Sequence, residues 1–170
     1  MAEVNLDTTG TGTALVLAEA LQSNDHALLT ALTASVVWHE AFSCTLNLAH
    51  AVMADTHDAA LRGLAGASRN YLPHIVRAHA ERFDADGDRA LLYATAYMNE
   101  AVLSTESGIR EFRIYRDSDS AVIVYALSCV ALFLLCFQAS AREERSGATV
   151  SIEDVIAEHR ARLLRAAAGN

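Results

Sequence analysis

The stretch AVIVYALSCVALFLLCF, residues 121 to 137, contains no charged side chain. It is either a membrane-spanning segment or the central helix of a soluble bundle, and the choice decides the fold. As a helix it covers about 25 Å, which is short of a hydrocarbon layer of about 30 Å. The segment AREER that follows, residues 141 to 145, carries as many acids as bases and gives no positive-inside signal. The sequence therefore favours a core or interface helix, with a membrane anchor as the alternative.

The rest of the chain supplies helices that could surround this segment. Of its 170 residues 52% are hydrophobic, only one is proline, and alanine is abundant, which favours helix over sheet. We expect a flexible leader at residues 1–12 and one all-α domain at 13–170. The predicted domain is a bundle of five to seven helices around a central apolar helix at 119–140.

Several residue patterns mark helix boundaries. Ser, Asn and Asp at 23–25 can cap a second helix, and Asp86 or Asp88 can cap a fifth. Ser151 with Asp154 forms a capping box for the last helix. We expect a third helix from about Ser35 through residue 58, a break at 61–70, and a fourth helix with Pro73 in its first turn.

Two segments admit an alternative with strands. Residues 108–127, GIREFRIYRDSDSAVIVYAL, could form a β-hairpin that turns at DSDS. Residues 14–40, ALVLAEALQSNDHALLTALTASVVWHE, resemble the opening helix–helix–strand of the cone-shaped nuclear-transport-factor-like superfamily. That resemblance implies a first strand at VVWHE, but beyond Phe42 the chain keeps helical periodicity, so the all-α prediction is retained.

The predicted third helix carries a narrow polar strip. At 100° per residue, the side chains of His39, Ser43, Asn47, His50 and His57 fall within one arc, with Glu40 and Asp58 at its edge. We take His39, Glu40, Ser43, Asn47 and His50 as a candidate surface for a ligand or partner. No pair of these histidines has the i, i+3 or i, i+4 spacing that lets one helix chelate a metal. We therefore expect no metal and no cofactor.

Two other polar segments are candidates for binding. Arg110, Arg113 and Arg116 recur every three residues and form a basic stripe that could meet an anion or an acidic partner, or a surface laced with ion pairs. Residues 84–89, DADGDR, start like a calcium-binding loop, but Arg89 replaces the required glycine and Thr95 the bidentate glutamate. We expect an interhelical turn there.

Charge and cysteine content restrict the compartment and the partners. The net charge is −8, and residues 1–60 contain seven acids and no arginine, which disfavours binding to nucleic acid. All 13 basic residues are arginine, as expected from a GC-rich and bacterial genome. Cys44, Cys129 and Cys136 form no CxxC pair, and the first residues form no secretory signal. We expect a cytoplasmic protein with reduced thiols.

No motif in the sequence specifies a reaction. It contains no GxSxG elbow, no Gly-rich phosphate loop and no ExxH pair. Catalytic residues therefore cannot be assigned. We expect a non-enzymatic interaction or assembly protein, a homo-oligomer that acts through apolar and acidic surfaces. The alternatives are a ligand-binding protein or enzyme with a pocket beside the His39/His50 strip, and a single-span membrane-anchored protein.

Overall fold

The fold is all-α and is built around one apolar helix. A computed structural model describes residues 10–83, 86–103 and 120–169. These residues form eight α-helices and no strand. We number the helices α1 (Gly12–Gln22), α2 (His26–Ser35), α3 (Trp38–Asp55), α4 (Asp58–Leu61), α5 (Leu64–Phe83), α6 (Gly87–Tyr97), α7 (Ser120–Ser146) and α8 (Ile152–Ala168). A π-helical turn, Met98–Val102, continues α6.

Helix α7 is the central helix that the sequence predicted. Helices α1, α2, α3, α5, α6 and α8 all pack against it. Every residue from Val122 to Leu135 is buried. The helix extends to Ser146, beyond the predicted end at residue 140, because its polar last turns continue the same backbone hydrogen bonding.

By length and composition α7 also meets the requirements of a membrane span. It is the one helix in the described part of the chain that does so alone, and 78% of its most apolar window is buried inside the fold. Helices α2 and α3 meet the same requirements only if they are joined into one span, and the angle between them is 112°. The other helices therefore cover most of the apolar surface that raised the membrane alternative.

The predicted caps are present. Asp25 accepts a hydrogen bond from the Leu28 amide at 3.0 Å, and Asp86 accepts one from the Arg89 amide at 3.1 Å. The Ser151 hydroxyl accepts one from the Asp154 amide at 3.1 Å. Each satisfies an amide that has no partner within its own helix. The start of the DADGDR segment lies outside the described residues, and its Asp86 acts as a helix cap.

The third helix differs from the prediction at both ends. It begins at Trp38, after extended Val37, and ends at Asp55. Thr56 takes an extended conformation and its hydroxyl donates to the Val52 carbonyl at 2.6 Å, which stops the helix while keeping the side chain buried. His57 then precedes α4, so it does not belong to the polar face of α3.

The sequence predicted Pro73 in the first turn of a helix, and this prediction is wrong. Pro73 lies in the middle of α5. The break expected at 61–70 is limited to Arg62 and Gly63, which separate α4 from α5, and Gly66 lies inside α5. Pro73 has no amide to donate to the Arg69 carbonyl. Buried Leu64, Leu72 and Val76 hold the helix against the core across this position. The unbroken helix places residues on both sides of Pro73 along one face.

The two alternatives with strands are wrong where the structure describes them. Ser120 onward is helical, which excludes the second strand of the proposed hairpin, while residues 104–119 lie outside the described part. In VVWHE, only Val36 and Val37 are extended and Trp38 begins α3. The strand implied by the nuclear-transport-factor-like resemblance is therefore absent from this segment.

Candidate functional site

A groove with a volume of about 630 Å³ lies between α5 and the second half of α7. That volume is within the range of small-molecule sites in proteins, 300–1,000 Å³. The residues that line it come from α4, α5, α7 and the turn before α5: Ala59, Ala60, Gly63, Ala67, Tyr71, His74, Ile75, Phe133, Cys136, Phe137, Ser140, Ala141 and Glu144. We call this the α5–α7 groove.

The groove exists because small and large side chains face each other. The two helices run antiparallel: the end of α5 contacts the start of α7, where the rings of Phe83 and Tyr125 stack at 5.2 Å. There the Tyr125 hydroxyl also donates to the Val76 carbonyl at 2.7 Å. Toward the start of α5 the facing residues are alanine and glycine, which leave space above the aromatic residues of α7.

The floor of the groove is aromatic. The rings of Phe133 and Phe137 lie 6.2 Å apart, and the Cys136 thiol lies between them in sequence. Phe137 and Cys136 are only half-buried, unlike the residues before them on α7. Burial raises the pKa of the Cys136 thiol to about 11, so it stays protonated at neutral pH. The exposed apolar surface of the central helix is therefore concentrated in this groove.

Polar side chains form the rim. His74, Ser140 and Glu144 are exposed, and Tyr71 is 62% exposed, which is unusual for a large aromatic side chain. Ser140 and Glu144 follow Phe133 and Phe137 on one face of α7, since successive spacings are four, three and four residues. The arrangement is that of a binding site with an apolar interior and a few polar groups at its edge.

The predicted histidine strip lies on α3, away from this groove. His39 and His50 are exposed, as is Ser43 between them. Glu40 accepts a hydrogen bond from the Thr13 hydroxyl at 3.3 Å, and the Asn47 amide donates to the Gly10 carbonyl at 3.2 Å. Glu40 and Asn47 thus join α3 to the start of α1. Neither His39 nor His50 lines the α5–α7 groove.

The predicted arginine stripe, the possible metal ligands and the cysteines remain to be placed. Arg110, Arg113 and Arg116 lie outside the described residues. Across residues 10–83, 86–103 and 120–169, no three or more His, Cys, Asp and Glu side chains are grouped to hold a metal ion. The three cysteines are free thiols, and Cys44 and Cys129 are buried.

A second set of polar side chains joins α3, α7 and α8. The members of this polar cluster are Asp55, Gln138, Arg142, Glu158, His159 and Arg162. Gln138 and His159 are buried, at 1% and 3% exposure, while the charged members lie around them at the surface. Arg142 bonds Glu158, and Arg162 bonds both Asp55 and Glu158. The cluster holds α8 onto the bundle, and none of its members lines the α5–α7 groove.

A smaller groove of about 400 Å³ lies between α1 and α8. Charged side chains of both signs line it, and an ion pair between Arg160 and Glu19 crosses it. Arg160 and Glu19 are thus already paired with each other. The α5–α7 groove is the better candidate because its floor is apolar and its volume larger.

No protein-family model, curated protein or solved structure matches this chain. Its function must therefore be argued from its own residues. The groove residues on α5 were not predicted, because the expected break at 61–70 and a helix starting near Pro73 separate Ala67 from Tyr71 and His74. The α7 half of the groove did have a sequence signal: the apolar face of the helix becomes polar at Ser140 and Glu144, which are still within α7.

Proposed function

We propose that this protein is a non-enzymatic binding protein that holds an apolar small molecule in the α5–α7 groove. One observation supports the proposal above the others: the central helix is buried through Leu135 and then exposes Cys136 and Phe137 to a concave, small-residue surface. Apolar surface left open in a groove favours a ligand that removes it from water.

The chemistry of the groove supports binding rather than catalysis. The Cys136 thiol is the one thiol among the described lining residues, and its raised pKa keeps it in the unreactive form. His74 and Glu144 are exposed at the rim, where water screens them. Nothing buried in the lining is poised to exchange a proton with a ligand.

Fluorescence of N-phenyl-1-naphthylamine, a neutral apolar dye, tests the proposal. The dye should bind the folded protein with saturable, stoichiometric fluorescence. Ala67→Phe places a ring in the groove and should weaken binding by at least tenfold. Ala78→Phe is the matched control, because Ala78 is exposed on the same helix and does not line the groove. Equal binding by the two variants, or no saturable binding at all, would refute this function.

The homo-oligomer predicted from the sequence stays a prediction. Its premise was apolar surface in excess of what one chain covers. The large exposed apolar side chains are spread over different parts of the fold: Leu28, Val37, Tyr71, Leu92 and Leu164. Light scattering on detergent-free protein measures the oligomeric state, and the same sample reports whether the protein is soluble, as a cytoplasmic location requires.

A further inference from the structure

The charge of the α5–α7 groove is one-sided. Glu144 is the one carboxylate among the described residues that line it, and no arginine is among them. Three arginines are adjacent in sequence to lining residues: Arg62, Arg142 and Arg145. Arg62 and Arg145 are exposed and outside the lining. Arg142 is held by Glu158 and lies 3.8 Å from Asp55, so it is engaged in the polar cluster. An anionic ligand would therefore meet a carboxylate and no arginine among the described lining residues.

The position of Glu144 on its helix adds to this negative charge. Glu144 lies in the last turn of α7, which ends at Ser146. The carbonyl groups at a helix C-terminus carry the negative end of the helix dipole, which attracts cations. Along the helix axis, Glu144 is about 16 Å from Phe133 at 1.5 Å per residue. The negative charge is therefore at one end of the groove and the aromatic floor extends from the other.

The aromatic side chains are compatible with a cation. Tyr71 and Phe137 line the groove, and the faces of such rings attract ammonium groups, most strongly where water is excluded. An ammonium group at Glu144 would leave an attached hydrocarbon or ring to cover Phe133, Phe137 and Ile75. The same placement of a carboxylate or phosphate would bring like charges together.

We propose that the groove selects amphipathic cations, molecules that join an apolar body to an amine or quaternary ammonium group. This inference rests on the proposed function and adds the class of ligand. Glu144 binds the cationic group, and the aromatic and aliphatic floor binds the apolar body. Where the cationic group is a protonated amine, the Ser140 hydroxyl, one turn before Glu144, accepts a hydrogen bond from it.

Three probes with the same alkyl chain test the selectivity: 1-decylamine, 1-decanol and decanoate. Their affinities can be measured by displacement of N-phenyl-1-naphthylamine at concentrations below micelle formation. Protection of the Cys136 thiol from a maleimide locates the bound probe in the groove. We expect decylamine to bind about tenfold more tightly than decanoate, because charge attraction to Glu144 and the helix dipole act together on the amine and both oppose the carboxylate.

The variant Glu144→Gln keeps the shape of the side chain and removes its charge. It should reduce the preference for decylamine over decanoate to less than about threefold, which is the effect expected from removing one exposed ion pair. The affinity for decanol should be unchanged. Glu81→Gln is the control, because Glu81 is exposed on α5 and does not line the groove. Unchanged selectivity in Glu144→Gln would contradict the assigned role of Glu144.

The outcomes distinguish a failure of the cation selectivity from a failure of the proposed binding function. If decanol and the dye bind in the groove but decylamine has no advantage over decanoate, the cation selectivity is wrong and the binding function stands. If none of the probes protects Cys136, both are wrong. If only an amphipathic helical peptide protects Cys136, the groove is a protein-docking surface and the small-molecule class is wrong.

Discussion

The Nε2 atom of His159 lies 2.7 Å from the Oε1 atom of Gln138, and both side chains are buried between α7 and α8. The Gln138 amide group donates from Nε2 to Asp55 at 3.3 Å, which fixes the orientation of the amide. Since Oε1 can only accept, His159 must donate from Nε2 and carries its proton there. A chain of hydrogen bonds thus joins α8 to α7 and α3.

We expect Gln138→Leu to lower the free energy of unfolding by about 1–3 kcal/mol, because it leaves the buried His159 donor without a partner. His159→Leu should have a cost of similar size, since it leaves the Gln138 carbonyl unpaired. The double variant should lose less than the sum of the two by about 1 kcal/mol, because each substitution removes the same bond. Urea unfolding of the four proteins measures this coupling, and strict additivity would show that the bond contributes nothing.

Stability should fall in mild acid because of His159. Desolvation, with the nearby Arg162 charge, lowers the pKa of His159 below its ordinary 6.5. The folded state therefore keeps the ring neutral while the unfolded chain takes up a proton below about pH 6.5. Stability is complete above that pH and decreases as pH falls toward the lowered pKa, by at most about 1.4 kcal/mol per pH unit.

Urea unfolding between pH 7.5 and 5.5 measures this dependence, and His159→Leu should flatten it. Burial, with the Arg82 and His26 charges, also lowers the pKa of His79. His79→Gln should therefore remove a second, separate contribution to the pH dependence of stability. Arg142 lowers the pKa of Glu158, which titrates only in stronger acid and does not contribute in this range. A pH profile unchanged by both histidine substitutions would be inconsistent with this account.

The sequence predicted the fold well where one local signal decided the outcome. The charge-free run from 121 to 137 identified the central helix, and Asp25, Asp86 and Ser151 marked three helix starts. It failed where two signals competed. Helical periodicity continues past Thr56, but the Thr56 hydroxyl and extended backbone end α3 there. Pro73 and Gly66 indicated a break, but burial of Leu64 and Leu72 keeps α5 intact.

The candidate site could not be predicted for a related reason. The groove depends on α5 being one helix, because only then do Ala67, Tyr71 and His74 share a face. It also depends on how far α5 lies from α7, which is a matter of tertiary packing that no residue spacing encodes. The histidine strip had a clear pattern, but the structure places its Glu40 and Asn47 in contacts with residues 10 and 13.

Single substitutions His39→Ala, His50→Ala and His57→Ala should change the free energy of unfolding by no more than about 0.5 kcal/mol each, as is usual at surface positions. Among the described residues, His39 makes an edge contact with the Trp38 ring at 5.5 Å, and half-buried His57 does not cap α4 with its side chain. Urea unfolding and metal analysis on the same samples test this. Stoichiometric zinc or iron that is lost with any one substitution would reveal a site that helix geometry does not predict.

Cys136 should be the one thiol among the three that reacts in the folded protein. Cys44 and Cys129 are fully buried, whereas Cys136 is partly open to the α5–α7 groove. Its pKa of about 11, against an ordinary 9.0, implies that maleimide modification at pH 8 is about a hundredfold slower than for an exposed thiol. The rate should rise about tenfold per pH unit. Mass spectrometry should find one modified cysteine in buffer and three in denaturant.

The central position of α7 predicts that a charge at its middle prevents folding. Leu132 is 4% exposed, so Leu132→Arg would bury a guanidinium group without a partner, at a cost of several kcal/mol. A domain of this size has only about 5–15 kcal/mol of stability to lose. We expect the variant to be insoluble, or to keep helical circular dichroism while losing a cooperative unfolding transition. Ser146→Arg is the matched control, because it adds the same group at an exposed position on the same helix and should fold normally.

The same pair of variants distinguishes a core helix from a membrane span. If α7 crosses a membrane, the unsubstituted protein should sediment with membranes and resist carbonate extraction. Leu132→Arg would then release soluble protein, because a central arginine opposes insertion into the bilayer. If α7 is the core of a soluble bundle, the unsubstituted protein and Ser146→Arg stay in solution without detergent and only Leu132→Arg is lost. A soluble, cooperatively folded Leu132→Arg protein would overturn the assignment of α7 as the packed centre of this fold.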